Sequence, residues 1–110
     1  MTEQSIIEEI YTTLVKLGVV DTKKEFYRDW LNRSEGYLRY LKHAGKQPSV
    51  DALAICSSKL KHYSTLLKQN HHALLAAEFV AYSNKLDAII FLNSKTKWMN
   101  LMHATAEVAQ

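Results

Sequence analysis

The side chains able to do chemistry in this 110-residue chain are few and scattered. Cys56 is the single cysteine, and its place on an apolar stripe favours a buried structural thiol over a nucleophile. His71 and His72 are adjacent and point in different directions, and no carboxylate or thiol lies at ligand spacing from them or from His62. The chain also lacks a glycine-rich phosphate loop, paired catalytic carboxylates and a Ser/His/Asp arrangement. The sequence therefore predicts no enzyme, no metal and no cofactor.

Positive charge is concentrated in the middle of the chain. Residues 1–21 hold one basic and four acidic residues, residues 22–68 hold ten basic and four acidic residues, and residues 69–110 hold three of each. A basic segment of this kind is attracted to the phosphates of nucleic acid. A solvated helical surface explains the same charge equally simply, so its meaning depends on the motifs that surround it.

Composition predicts one globular domain built from helices. Hydrophobic residues make up 47% and charged residues 23% of the chain, with only three Gly and one Pro to break it. No stretch shows the apolar/polar alternation of strands. The single cysteine suits a reducing compartment, and the acidic beginning of the chain does not look like a signal peptide. We therefore expect a cytoplasmic protein without a membrane span.

Capping boxes, in which a Ser or Thr precedes a Glu by three residues, begin the first two predicted helices. The two boxes are Ser5 with Glu8 and Thr22 with Glu25. Gly18 ends the first helix, and the second ends near Leu31.

A turn follows, because Asn32 tolerates the left-handed backbone conformation and Ser34 is a good N-cap. The sequence predicts a short third helix over residues 35–43, in which Leu38 and Leu41 point inward. After a Gly/Pro break, Ser49 caps a fourth helix. A long apolar helix over residues 73–93 and a short one over residues 96–102 complete the prediction.

The stretch TKKEFYRDWLNRSEGYLRYLKHAGKQPSVDAL, which begins at Thr22, resembles the Cro-type, or lambda-repressor-like, helix-turn-helix family of DNA-binding transcriptional regulators. Leu31, the turn at residues 32–34, and the Gly-Lys-Gln-Pro-Ser loop at residues 45–49 match the family pattern. Tyr27 or Arg28 stands where the family prefers a small residue. That difference favours a rival hypothesis, a helical protein-interaction module such as an antirepressor or adaptor.

The resemblance implies an all-α, lambda-repressor-like helix-turn-helix bundle with a long C-terminal helix. Residues 1–68 would form the DNA-binding unit and residues 69–110 a helical extension of a bacterial or phage regulator located at the nucleoid. The beginning of a recognition helix reads base edges in the major groove, whereas flanking basic residues hold phosphates. The expected base contacts are Ser34, Glu35, Gly36, Tyr37 and Arg39, and the expected phosphate contacts are Lys23, Lys24, Arg33, Lys42 and Lys46.

The long predicted helix carries apolar residues at alternating four- and three-residue spacing, as in a contact between two helices. These residues are Leu75, Phe79, Tyr82, Leu86 and Ile89. A second apolar face on the same helix includes Leu74, Val80, Ile90 and Phe91. Two apolar faces need two partners. We expect a homodimer through the first set of residues, and the alternative is a helix wrapped entirely by the chain's own helices.

Overall fold

The computed structural model describes residues 3–109 of the protein, with side-chain burial described for residues 6–103. This part of the chain is built from helices and short connections, and none of it forms a strand, which confirms the all-α prediction. The five helices are α1 (Glu3–Lys16), α2 (Lys23–Trp30), α3 (Tyr37–Ala44), α4 (Val50–Gln69) and α5 (Ala73–Ala109). Within the described residues, no helix combines the length and the apolar character needed to cross a membrane.

Helix α1 begins at Glu3, so Ser5 lies inside the helix and the predicted capping box with Glu8 is wrong. No Gly or Pro precedes Ser5, so nothing in the sequence stops the helix from starting earlier. The end is as predicted: Gly18 adopts a positive φ of 75°, and its N–H donates to the carbonyl of Val15 at 3.0 Å. Only glycine adopts this conformation at low cost, which is why the helix stops there.

Thr22 caps α2 as predicted. Its hydroxyl accepts a hydrogen bond from the N–H of Glu25 at 3.2 Å. The returning bond of the box is displaced by one residue, because the Glu25 carboxylate accepts from the N–H of Asp21 at 3.1 Å. Both bonds satisfy backbone donors that a helix start leaves open. The helix ends at Trp30, with Leu31 as its C-cap.

The connection from α2 to α3 is longer than the predicted three-residue turn. Asn32 has the expected positive φ, at 53°, but α3 begins only at Tyr37 and its N-cap is Gly36. The prediction that Ser34 caps this helix is therefore wrong; its carbonyl instead accepts from the N–H of Tyr37 in a turn. The N–H of Arg33 donates to the carbonyl of Tyr27 at 2.8 Å, so the chain is still bonded to α2 at that residue.

Helices α4 and α5 form an antiparallel hairpin and make the largest helix–helix contact of the fold. Ser49 caps α4 as predicted, by accepting from the N–H of Ala52 at 3.2 Å. Residues 73–109 form one continuous helix, and the predicted break between residues 93 and 96 is wrong. No Gly or Pro stands in that interval, and its polar residues are tolerated in an exposed helix.

The residues predicted for a dimer interface lie in the chain's own core. Phe79, Tyr82 and Leu86 are buried, and Leu75 and Ile89 are partly buried against the same cluster. Helices α1 and α4 both pack on α5, so these residues are covered by the chain's own helices and the predicted dimer seam is wrong. Both predicted units contribute residues to one hydrophobic core. The alternative prediction, a helix wrapped entirely by the chain's own helices, does not hold either, because Leu74, Val80 and Phe91 of the second apolar face are exposed.

A polar cluster fixes the register of the α4–α5 hairpin. The buried hydroxyls of Ser57 and Ser83 are 2.8 Å apart, and Ser57 donates to the carboxylate of Asp87 at 2.5 Å. Lys61 donates to the other oxygen of that carboxylate, also at 2.5 Å. Partial burial raises the pKa of Asp87, but these bonds outweigh burial and leave the pKa below its usual range. The cluster ties the middle of α4 to the middle of α5.

Candidate nucleic-acid interface

Helix α3 is short and presents a narrow apolar edge to the core. Leu38 and Leu41, one turn apart, are its buried residues. Gly45 ends the helix in the left-handed conformation, at a φ of 65°, and its N–H donates to the carbonyl of Lys42. The side chains that α3 exposes to solvent are Arg39, Tyr40, Lys42 and His43. The helix therefore offers a polar, mostly basic surface of two turns.

A groove of about 580 Å³ separates this surface from α1 and the beginning of α2. Its lining consists of Glu8, Tyr11, Thr12, Lys23, Tyr27, Glu35, Leu38, Arg39 and Lys42. Three basic residues predicted to contact DNA therefore share one surface. They are Lys23 of α2 and Arg39 and Lys42 of α3, so two helices contribute to it. Glu35, a predicted base contact, lies at the same groove.

Acidic residues moderate the charge of the groove. The ammonium of Lys42 lies 2.5 Å from the Glu8 carboxylate and joins α3 to α1. Burial raises the pKa of Tyr27, and the nearby Glu8 carboxylate raises it further, while Arg39 opposes them. The Tyr27 phenol therefore stays protonated and neutral at physiological pH.

Tyr27 is a large residue at a position where the helix-turn-helix resemblance predicts a small one. Its side chain is buried, and its ring lies 5.8 Å from that of Phe26. Tyr27 lines the groove together with Leu38 and Arg39 of α3.

Arg33, predicted to contact phosphate, is engaged at the beginning of α4. Its guanidinium donates to the Ser49 hydroxyl at 2.7 Å and to the Asn32 carbonyl at 2.8 Å. It also lies 3.5 Å from the Asp51 carboxylate and 5.5 Å from the centre of the Tyr37 ring. Tyr37, predicted to contact bases, accepts from the N–H of Ser49 at 2.9 Å. The two residues hold the beginning of α3 against the beginning of α4.

The remaining predicted contacts are exposed. Ser34 and Gly36 precede α3 instead of lying on it, and Lys24 follows Lys23 in the first turn of α2. Lys46 lies just after α3 and donates to the Tyr40 hydroxyl at 3.3 Å. Lys23 therefore lies at the groove beside α3, and Lys46 lies next to the outer face of that helix.

Two residues at or beside this surface, Tyr40 and Glu8, were not among the predicted DNA contacts. Tyr40, on the outer face of α3, is 54% exposed, and its place two residues after Leu38 could have indicated this. Glu8 was not expected at the site, because only the folded chain brings α1 beside α3. Other basic residues of the middle segment are engaged elsewhere: Lys59 lies 4.8 Å from the Trp30 ring, and Lys61 bonds Asp87.

Neither metal chemistry nor thiol chemistry is indicated in the described part of the chain. No three His, Cys, Asp or Glu residues there are grouped as metal ligands would be. Cys56 is fully buried, and burial raises the pKa of its thiol to about 12. The thiol is therefore protonated and inaccessible in the folded protein.

Comparison with known proteins identifies a family but no activity. Residues 7–99 match the model of a family of unknown function, DUF6626, and the chain belongs to that family. The match covers α2 to α4 completely and α5 as far as Met99. No curated protein and no solved structure matches the chain.

Proposed function

We propose that this member of a family of unknown function binds double-stranded DNA, with α3 lying in the major groove. The observation that supports the proposal is the shared surface of Lys23, Arg39 and Lys42, which two helices contribute. A major groove about 12 Å wide admits one α-helix. Helix α3 has the required form, since it is short and buries only Leu38 and Leu41.

The proposal assigns different roles to the residues of this surface. Arg39, in the first half of α3, has the five-donor fork that recognises guanine in the major groove. Lys23, Lys24, Lys42 and Lys46 surround it and neutralise phosphates, which supplies affinity without sequence information. Glu35 and the neighbouring Ser34 and Gly36 approach the base edges from the connection before α3.

The biological role that follows is transcriptional regulation by a homodimer. Two symmetric copies address two half-sites about 34 Å apart, which raises specificity beyond what one short helix can read. The dimer cannot use the buried face of α5, so it requires another surface of the protein.

The decisive experiment is a gel shift with a duplex selected from a random-sequence library. We expect the wild-type protein to retain the duplex against unlabelled competitor DNA, with an affinity that falls steeply between two salt concentrations. The double substitution Arg39→Ala and Lys42→Ala should abolish retention. The salt slope of the remaining non-specific binding, measured without competitor, should be smaller by about 1 than that of the wild type, because Lys42 no longer neutralises a phosphate.

The matched control is Lys16→Ala with Lys68→Ala, which also removes two exposed positive charges but from residues that do not line the groove. This control should retain the duplex as the wild type does, and circular dichroism should show both variants to be folded. Equal binding by both double variants would exclude α3 as the reading helix.

The protein-interaction module remains the second candidate function, favoured by the Lys42–Glu8 ion pair. A basic residue already paired with a carboxylate is also suited to an acidic protein surface. This function predicts that the selection enriches no duplex and that the wild-type protein gives no competitor-resistant shift at either salt concentration.

A further inference from the structure

The far part of α5 carries large apolar side chains in contact with solvent. We define the C-terminal stripe as Phe91, Leu92, Trp98, Met99 and Met102. Four of these residues are more than half exposed: Phe91 at 65%, Leu92 at 60%, Trp98 at 51% and Met102 at 61%. Soluble monomers rarely expose so many contiguous apolar residues, and such patches usually mark an interaction site.

The stripe faces away from the hydrophobic core. An α-helix turns about 100° per residue, so Phe91, Trp98 and Met102 lie on one face. Phe91 follows the buried Leu86 by five residues, which places it about 140° around the helix from the core-facing side. The apolar surface thus changes sides near residue 91.

The hairpin leaves this part of α5 without a neighbour from α4. The two helices are antiparallel, and their contacts pair Ser57 with Ser83 and Asp87. Val50, the first residue of α4, therefore lies beside α5 at about residue 92. Helix α4 is about 30 Å long and α5 about 55 Å, and the surplus length projects beyond the bundle.

We propose that two copies of this chain associate through the C-terminal stripe, with their α5 helices antiparallel. The five side chains of the stripe expose roughly 600 Å² per copy, given the usual areas of such side chains. A symmetric pair would bury about twice that, which reaches the lower range of specific protein interfaces. The inference supplies the dimer of the proposed function, but the association itself does not require DNA binding.

The charges of this segment favour an antiparallel pair. Residues 91–103 contain Lys95 and Lys97 and no acidic residue. Lys95 lies within the stripe, so a parallel pair in register would place two ammonium groups directly opposite each other. In an antiparallel pair in which the two stripes cover each other, the centre lies between residues 96 and 97, and each Lys95 lies opposite Trp98 of the other copy. The two Lys95 residues are then offset by about 4.5 Å along the axis instead of directly opposed.

The test is sedimentation equilibrium of the full chain over a wide concentration range at low and high salt. We expect a monomer–dimer equilibrium that is unchanged or strengthened by salt, because apolar burial drives it. Phe91→Glu with Trp98→Glu should weaken the dimer at least about 100-fold, since it removes two large apolar side chains from the interface and places charged groups there that lose their hydration.

The matched control is Leu74→Glu, which replaces a 90% exposed apolar residue near the beginning of the same helix, outside the stripe. This variant should dimerise like the wild type. A wild-type protein that stays monomeric at 100 µM, or a stripe variant that still dimerises, would overturn the proposal. So would a monomer that binds vesicles of anionic phospholipid and is released by salt, because the stripe would then serve a lipid surface.

The gel shift and the sedimentation experiment can fail separately. Loss of DNA binding with an intact dimer would reject the assignment of α3 alone. A monomer that still retains the selected duplex would reject the stripe alone.

Discussion

The Cys56 thiol lies among the side chains of the core, with none of its surface exposed. We expect it to resist alkylation by iodoacetamide in the native protein at pH 8 and to react fully in denaturant. Burial raises its pKa to about 12 from an ordinary value of 9.0, so the reactive thiolate is absent until the chain unfolds. Mass spectrometry with and without urea measures this difference.

The same group makes stability depend on pH at the alkaline end. The unfolded chain loses the thiol proton near pH 9, whereas the folded chain keeps it up to about pH 12. The contribution of the protonated, buried thiol to the free energy of unfolding is therefore complete below pH 9. It declines as the pH rises from 9 toward about 12. Rapid alkylation of the native protein would contradict the burial of Cys56.

Single residues were predictable from sequence where their role is local. The left-handed Asn32 and the capping Thr22 follow from the backbone chemistry of a few neighbours. Arg33 was not predictable in this way. Its principal partner, Ser49, lies sixteen residues further along the chain, and nothing in the local pattern distinguishes a guanidinium that holds a helix cap from one that awaits a phosphate.

The end of α3 depends on the positive φ of Gly45, and this dependence can be measured. Gly45→Ala should lower the free energy of unfolding by about 1–2 kcal/mol, because a Cβ strains the left-handed conformation. For a domain of this size the melting temperature should fall by several degrees. Thermal melts followed by circular dichroism give the comparison.

Gly36 is the matched control for that substitution. It has a negative φ of −85°, and an added Cβ would meet no atom within 4 Å. We expect Gly36→Ala to change stability by less than about 0.5 kcal/mol, since reduced freedom in the unfolded chain offsets a poorer N-cap. Equal destabilisation by both substitutions would contradict the described ending of α3.

The existence of the first four helices was more predictable than their extent, whereas the fifth and sixth predicted helices form one helix, α5. Gly18 and Gly45 indicate where α1 and α3 end, because each helix ends with a positive φ that glycine adopts most easily. The sequence did not indicate the beginning of α3 or the full length of α5. A helix start without a side-chain cap, as at Gly36, leaves no sequence signal, and the solvated part of α5 needs no apolar periodicity to remain helical.

The assignment of α5 to the core of one chain predicts a large difference between two leucines. Leu86→Ala should cost about 2–5 kcal/mol, since it empties a fully buried site, whereas Leu74→Ala, at a 90% exposed position, should change stability by less than about 0.5 kcal/mol. Urea denaturation measures both values.

Protein concentration separates the two interpretations of that buried face. A cost at Leu86 that is independent of concentration agrees with packing inside one chain. A cost that disappears below micromolar concentration would indicate that the face belongs to a dimer instead.

The whole molecule could be predicted as an all-α bundle, but not which apolar face of α5 is covered. Periodicity reports that a face is apolar, not whether its partner is the same chain or another copy. The covered face of α5 is set by the way this last helix packs across α1, where Tyr82 contacts Thr13 and Glu9. Sequence separation of about seventy residues leaves no local trace of these contacts.

On the proposed DNA surface, the ion pair between Lys42 and Glu8 would make the acidic first helix a competitor of the phosphates for this lysine. A duplex of any sequence would have to displace the carboxylate before one of its phosphates could bind Lys42. This cost would lower the affinity for random DNA and for the correct site by the same factor. The ratio of the two affinities would then depend on the base contact of Arg39, while the ion pair would limit how much random DNA the protein holds.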